Sequence, residues 1–126
     1  TKSPPKKRKL KKVNYLKIDI SKKKKLIKDL KRDYDFVVNL AGYVDHSNKN
    51  KTMKSHFNGC KNLANFFLNK NLKKFVQIGS SIEYGKSRSP QKENKKNLRE
   101  TYSTYGNAKL FSTKFLLELK KNIIFQ

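Results

Sequence analysis

Tyr105 and Lys109 stand four residues apart. On a helix that spacing puts both side chains on one face, one turn apart. A free tyrosine has a pKa of about 10 and is a poor base at neutral pH. A neighbouring ammonium favours the phenolate. The pair therefore reads as a general acid/base. Ser80 supplies a hydroxyl that could hold a reacting oxygen beside the tyrosine oxygen. With 6 Tyr and 28 Lys in 126 residues, one Tyr-x-x-x-Lys match carries little weight alone. Its position and its neighbours give it meaning.

The elements that must position these groups are legible as periodicity. Val13 to Ile20 alternates apolar and polar residues and predicts a strand. Ser21 then predicts a helix cap, ahead of a stripe of Leu26, Ile27 and Leu30. Residues 35–41 form a compact apolar run, which predicts a buried parallel strand. Met53, Phe57, Cys60, Ala64 and Phe67 recur at helical spacing and predict a helix over about 50–69. Phe75 to Ile78 predicts a further short strand. Residues 85–100 are polar and aperiodic, and predict a loop. Tyr105, Ala108, Ser112, Phe115 and Leu119 share one face of a helix over about 103–121. Ile123 to Phe125 would open another strand.

Alternating strands and helices imply right-handed crossovers. The fold class expected is α/β, a partial Rossmann-like doubly wound parallel sheet with helices on both faces. No boundary divides the chain, so residues 1–126 read as one domain with a flexible basic loop over 1–12. In such sheets ligands bind at the carboxyl ends of the strands. Asp19-Ile20, Leu40-Ala41-Gly42 and Ser80-Ser81 follow the three strands and are the residues expected along that edge.

The net charge of +23 restricts the function less than it suggests. Residues 1–33 hold about half of the excess and the remainder is spread over the rest. Arg, the better residue for phosphate forks and base edges, occurs four times. No aromatic-basic nucleic-acid motif occurs. The charge reads as lysine-rich solvent faces, with nucleic-acid binding through Lys6–Lys12 and Lys22–Lys25 as the competing reading. Pro4 to Leu10 has the composition of a nuclear-import tag and reads as a solvated loop. The single Cys60 excludes an internal disulfide. With only His46 and His56 beside it, no metal-ligand spacing is formed. Cys60 and Met53 read as core and His46 as a loop residue, although Asp45-His46 falls near the expected ligand edge. No apolar run nears the ~20 residues of a membrane span. A cytoplasmic protein is expected.

Four segments in order resemble the extended short-chain dehydrogenase/reductases, the NAD-dependent epimerase/dehydratase family. Val37-Val38-Asn39-Leu40-Ala41-Gly42 is similar to that family's strand ending in a small-residue turn against the cofactor. Asn58-Gly59-Cys60-Lys61-Asn62-Leu63 resembles its following helix. Phe75 to Gly85, with Ser80 and Tyr84-Gly85, looks like its catalytic-serine strand. Tyr105-Gly106-Asn107-Ala108-Lys109 looks like its Tyr-Gly-x-x-Lys motif. The likeness covers residues 13–125. Tyr84 to Arg88 also begins like the tyrosine motif, but it ends in Arg, which cannot supply the same compact ammonium.

The resemblance implies a nucleotide-sugar substrate and NAD or NADP as cofactor. It implies that Tyr105 is the acid/base, that Lys109 also meets the nicotinamide ribose, and that Ser80 holds the reacting oxygen. Asp19 and Ile20 would face the adenine, and Leu40, Ala41 and Gly42 the rest of the dinucleotide. Ser80, Ser81 and Glu83 would contact substrate, and Glu93 matches an acidic position of the family's substrate loop. A homodimer through the helices at about 50–69 and 103–121 is implied as well. The sequence also departs from the pattern. The Gly-x-x-Gly-x-x-Gly loop would lie before Thr1, and the substrate lobe after Gln126, so the chain alone is expected to bind cofactor poorly and to be inactive. His56 stands where relatives carry Asn. Ser80-Ser81-Ile82 replaces the Thr-Asp-Glu of sugar dehydratases, which favours an epimerase or a reductase. A relative that binds NAD(P) without catalysis is the third reading.

Overall fold

The computed structural model describes residues 9–30, 33–92 and 98–124, and the side chains up to Lys121. Its elements in chain order are α1 (Lys23–Asp29), β1 (Phe36–Asn39), α2 (Lys49–Met53), a π-helical turn (Lys54–Asn58), α3 (Gly59–Phe67), β2 (Lys74–Gln77), a 3-10 turn (Ser81–Tyr84) and α4 (Thr104–Ile124). β1 and β2 pair in parallel, with Phe36 opposite Lys74 and Asn39 opposite Gln77. The crossover between them is the run of helix from α2 to α3. The fold is α/β, with a two-stranded parallel sheet among the described residues.

Ile18, Leu26, Leu63 and Phe67 form the buried cluster, with Val37 and Phe75 from the strands packed against it. This is the joint between sheet and helices. Asn39 is buried at the end of β1 and donates to Gln77 Oε1 at 2.7 Å. The cross-strand amide pair satisfies polar groups that burial would otherwise leave costly.

Three expectations are corrected. Val13 to Ile20 is not a strand, because this segment is no rung of the described sheet. Alternation survives only in part, with Ile18 buried and Val13 and Leu16 exposed. Ser21 does not cap α1. Its hydroxyl donates to Asp19 Oδ1 at 2.7 Å, and Lys22 takes the cap position. Ile123 and Ile124 continue α4 rather than opening a strand. A short apolar run fits either state, and no Gly or Pro interrupts this one. β1 is also less enclosed than its composition implies. Val37 and Asn39 turn inward, while Phe36, Val38 and Leu40 are exposed. Residues 1–8 of the basic loop, Glu93 and Phe125 lie outside the described residues.

Candidate active site

The helix after β1 contains one residue more than a regular α-helix would place in its middle turn. The Gly59 amide reaches back five residues to Lys54 O. Such π turns rotate the helix face and recur at functional sites. Here the rotation moves His56 inward. The buried residues of the run are Thr52, His56, Gly59, Cys60, Leu63, Ala64 and Phe67. Phe57, expected on that face, instead stands edge-on to Phe111 at 5.8 Å. Ser112 of α4 holds the turn. Its single O–H is shared between His56 O at 3.1 Å and Ala108 O at 2.8 Å.

His56 reaches the turn that follows β1. Its ring hydrogen-bonds Tyr43 O through Nε2 at 3.2 Å. A Cβ on Gly42 would lie 2.2 Å from His56 Cε1. Gly42 is therefore favoured by the close approach of the His56 ring. The same imidazole meets Tyr105 edge-on, with centroids 5.0 Å apart. His46, from the loop after β1, stacks on Tyr105 at 4.2 Å with 16° between the planes. Both histidines thus belong to the Tyr105 cluster. The sequence signal was faint: His56 departs from the family's Asn, and Asp45-His46 falls near the ligand edge. Without the π turn, the helical spacing points to Phe57.

Tyr105 sits in the first turn of α4. Ser103 precedes the helix and accepts from the Gly106 amide at 2.9 Å, a capping bond. A Cβ on Gly106 would lie 2.2 Å from Thr101 Oγ1, so the approach loop folds directly over this glycine. The Tyr105 hydroxyl makes no hydrogen bond among the described residues. Lys109 is buried, and its Nζ lies 5.8 Å from the Tyr105 ring centroid. It donates to Ile78 O, just past β2, at 2.7 Å. One bond thereby fastens α4 to the carboxyl end of the sheet. It leaves Nζ–H donors beyond the one used.

Ser80 follows two residues after Ile78 and precedes the 3-10 turn. Its amide donates to Glu83 Oε1 at 2.7 Å, and the two residues form a capping box. Glu83, expected as a substrate contact, is buried, and its Oε2 accepts from Thr113 of α4 at 2.6 Å. Its carboxylate is committed to holding the Ser80 turn against α4. Ser81 is exposed. Tyr84 ends the 3-10 turn and does not start a helix.

Leu40, Ala41 and Gly42 are exposed after β1, and Asn39 Oδ1 accepts from the Ala41 amide at 3.1 Å. Asp19 accepts from Ser21, and Ile20 O accepts from Asn62 of α3 at 2.9 Å. The structure therefore gathers Gly42, Tyr105 and Lys109 with His46 and His56. It places Ser80 beside the strand end that Lys109 grips. Asp19 and Ile20 lie on the α3 side, with the Ile20 side chain against Gly59.

Burial pulls the Lys109 ammonium below its ordinary value, while Glu83 and Cys60 pull it back. His56 is lowered chiefly by burial, with the charges of Lys109 and His46 adding, against the Tyr43 carbonyl. Burial pushes the Cys60 thiol up to about 11, so it is neither a nucleophile nor a ligand near pH 7.

A dinucleotide fits these residues in chemistry. Ala41 and Gly42 leave the end of β1 without bulk, and Lys109 retains donors for a hydroxyl. Among the described residues no helix is long and apolar enough to cross a membrane.

Two solved structures share the fold. The ADP-L-glycero-D-manno-heptose-6-epimerase of Helicobacter pylori matches with a TM-score of 0.69 and 24% identity, over 82% of this chain and 33% of that one. RMD from Pseudomonas aeruginosa, solved in complex with NADPH, matches with a TM-score of 0.65 and 19% identity, over 80% and 37%. The chain spans about a third of the length of these structures. A comparison with curated proteins finds no match. The model of the NAD dependent epimerase/dehydratase family matches residues 1–123. By that match, over nearly its whole length, the chain belongs to the NAD dependent epimerase/dehydratase family.

Proposed function

We propose that the protein to which this chain belongs is an NAD(P)-dependent nucleotide-sugar epimerase or reductase. Tyr105, Lys109 and Ser80 form its reacting centre. The observation that carries this reading is the Lys109–Ile78 bond, which seats the Tyr105 turn of α4 at the carboxyl end of β2. The bound dinucleotide would accept and return a hydride. Tyr105 takes the hydroxyl proton as the sugar alcohol becomes a carbonyl, and gives a proton back on reduction. Lys109 Nζ, 5.8 Å from the Tyr105 ring centroid, keeps donors for the ribose of the dinucleotide. Ser80 donates to the oxygen under attack. Leu40, Ala41 and Gly42 form the floor for the dinucleotide, and Asp19 and Ile20 its adenine end. Glu83 holds the Ser80 turn in place. A homodimer through the outer faces of α2–α3 and α4 belongs to the same reading, and light scattering of the intact protein tests it.

The decisive experiment titrates the intact protein with NADH and NADPH beside Tyr105→Phe. The variant is expected to bind the dinucleotide unchanged and to lose turnover of a nucleotide sugar by roughly 10²–10⁴-fold. Failure of the intact protein to bind either dinucleotide would sink the reading. The basic-surface alternative would then be tested by a salt-sensitive shift of labelled RNA.

A further inference from the structure

The Tyr105 ring is placed by other rings. Its hydroxyl makes no hydrogen bond among the described residues, so that end of the side chain is not fixed. Lys109 gives its 2.7 Å bond to Ile78 O and lies 5.8 Å from the ring centroid. The phenol ring itself meets His46, stacked at 4.2 Å with 16° between the planes, and His56, edge-on at 5.0 Å. The two imidazoles also meet each other, with centroids 5.7 Å apart and planes at 64°. A loop, a π turn and the start of α4 thus each give one ring to a single cluster. Stacked and edge-to-face contacts are how aromatic rings restrain one another.

Burial does not put His46 there. Residues 44–50 are all exposed, so no apolar collapse places this loop. Hydrogen bonds do. Asp45 Oδ1 accepts from the Ser47 amide at 3.1 Å and from its hydroxyl at 2.6 Å, a turn that spans His46. Asn48 then caps α2 by accepting from the Lys51 amide at 3.0 Å. On the other side, His56 Nε2 donates to Tyr43 O at 3.2 Å and ties the start of the loop to the π turn. His46 is therefore held from both sides. A loop fastened by polar bonds carries one exposed imidazole to the face of the candidate acid/base, away from the core.

We propose that His46 is a positioning residue: its stacked ring, with the edge of His56, holds the Tyr105 phenol in the orientation that presents its hydroxyl to the substrate oxygen. This rests on the reading of Tyr105 as the acid/base and adds what keeps that group in line. The need is geometric. A tyrosine side chain turns about two bonds, and Tyr105 has no hydroxyl bond to stop it. Misplacing a reacting group by about 1 Å costs on the order of 10²-fold in rate. The ring face is what acts, so another flat ring at position 46 should serve and a methyl group should not.

Two measurements on the intact protein test this. Tyr105→3-fluorotyrosine reports the ring currents of the stack by fluorine NMR. His46→Ala is expected to move that resonance, and His46→Phe to keep most of the ring-current displacement. Turnover is then compared, with UDP-, GDP- and ADP-sugars tried in turn. His46→Ala should lower kcat by roughly 10–10²-fold while KM changes by less than about threefold, because the stack acts on the reacting geometry and not on uniform binding. His46→Phe should recover most of that loss. Val44→Ala, in the same loop and 91% exposed, should match the unsubstituted protein. An unmoved resonance in His46→Ala, an unchanged kcat in that variant, or an equal loss in His46→Phe would each overturn the positioning role and leave the reaction reading standing. Retained turnover in Tyr105→Phe, or none in the unsubstituted protein, would remove the reaction reading and the positioning role with it.

Discussion

Gly42, His56 and Tyr105 form a chain of contacts in which the smallest residue is fixed by the ring above it. An alanine at 42 would place its Cβ 2.2 Å from His56 Cε1. Gly42→Ala is expected to destabilise the protein by about 1–3 kcal/mol, the usual cost of overpacking. In a His56→Ala background the same substitution should cost little, because the obstructing ring is gone. Chemical denaturation of the four proteins measures this coupling. His56 also sets a pH dependence. Its folded pKa lies below the ordinary 6.5, mainly through burial. On acidification the unfolded chain therefore takes up this proton first. The contribution of neutral His56 to stability is complete above 6.5 and is lost as pH falls through the folded value. His56→Asn should flatten that acid limb, read from midpoints across pH 5–7, and a limb of equal slope in both proteins would remove His56 as its cause.

The π turn is the element that distinguishes this site from a regular helix–sheet joint. Ser112 of α4 bridges to it through one hydroxyl proton, shared between His56 O and Ala108 O. Ser112→Ala should cost about 1–2 kcal/mol, because buried carbonyls lose a donor. Thr52, a turn earlier, offers the opposite case. It is fully buried, and its Oγ1 has no hydrogen-bond partner among the described residues. Thr52→Val keeps the shape and removes an unsatisfied hydroxyl. It should raise the unfolding midpoint, with a gain of about 1 kcal/mol. A fall in the midpoint would show that the hydroxyl is satisfied in solution. Local patterning placed both helices that meet here, α2–α3 and α4, because their apolar spacing is long and regular. It could not place the π turn, which inserts a residue without altering the apolar count.

A charge of +23 on 126 residues is the dominant property of the whole molecule. Among the described residues the ion pairs are few and solvent-exposed: Lys70 with Asp33, Lys73 with Asp35, and Lys121 with Glu118. Such pairs contribute little. Self-repulsion between lysines remains largely uncompensated and falls as salt shortens the Debye length from about 30 Å at 0.01 M to about 8 Å at 0.15 M. The thermal midpoint should therefore rise with sodium chloride over that range. A midpoint that falls would mean that the few ion pairs outweigh the repulsion.

What the sequence determined by itself is the set of ordered motifs and the element types with strong periodicity. The parallel strands around Val37 and Phe75, the Tyr105–Lys109 helix face and the family follow from types and spacings, which survive any folding detail. Tertiary structure decided the rest. Alternation at 13–20 did not make a strand, since a strand exists only with a neighbour to pair with. The apolar run at 123–124 joined a helix already in progress. Glu83 turned inward because Ser80 and Thr113 offered it donors. His46 and His56 reached Tyr105 only because a loop and a π turn, distant in sequence, converge on one helix start. Periodicity records which face a residue shares with its own element, whereas a site depends on which faces of different elements meet.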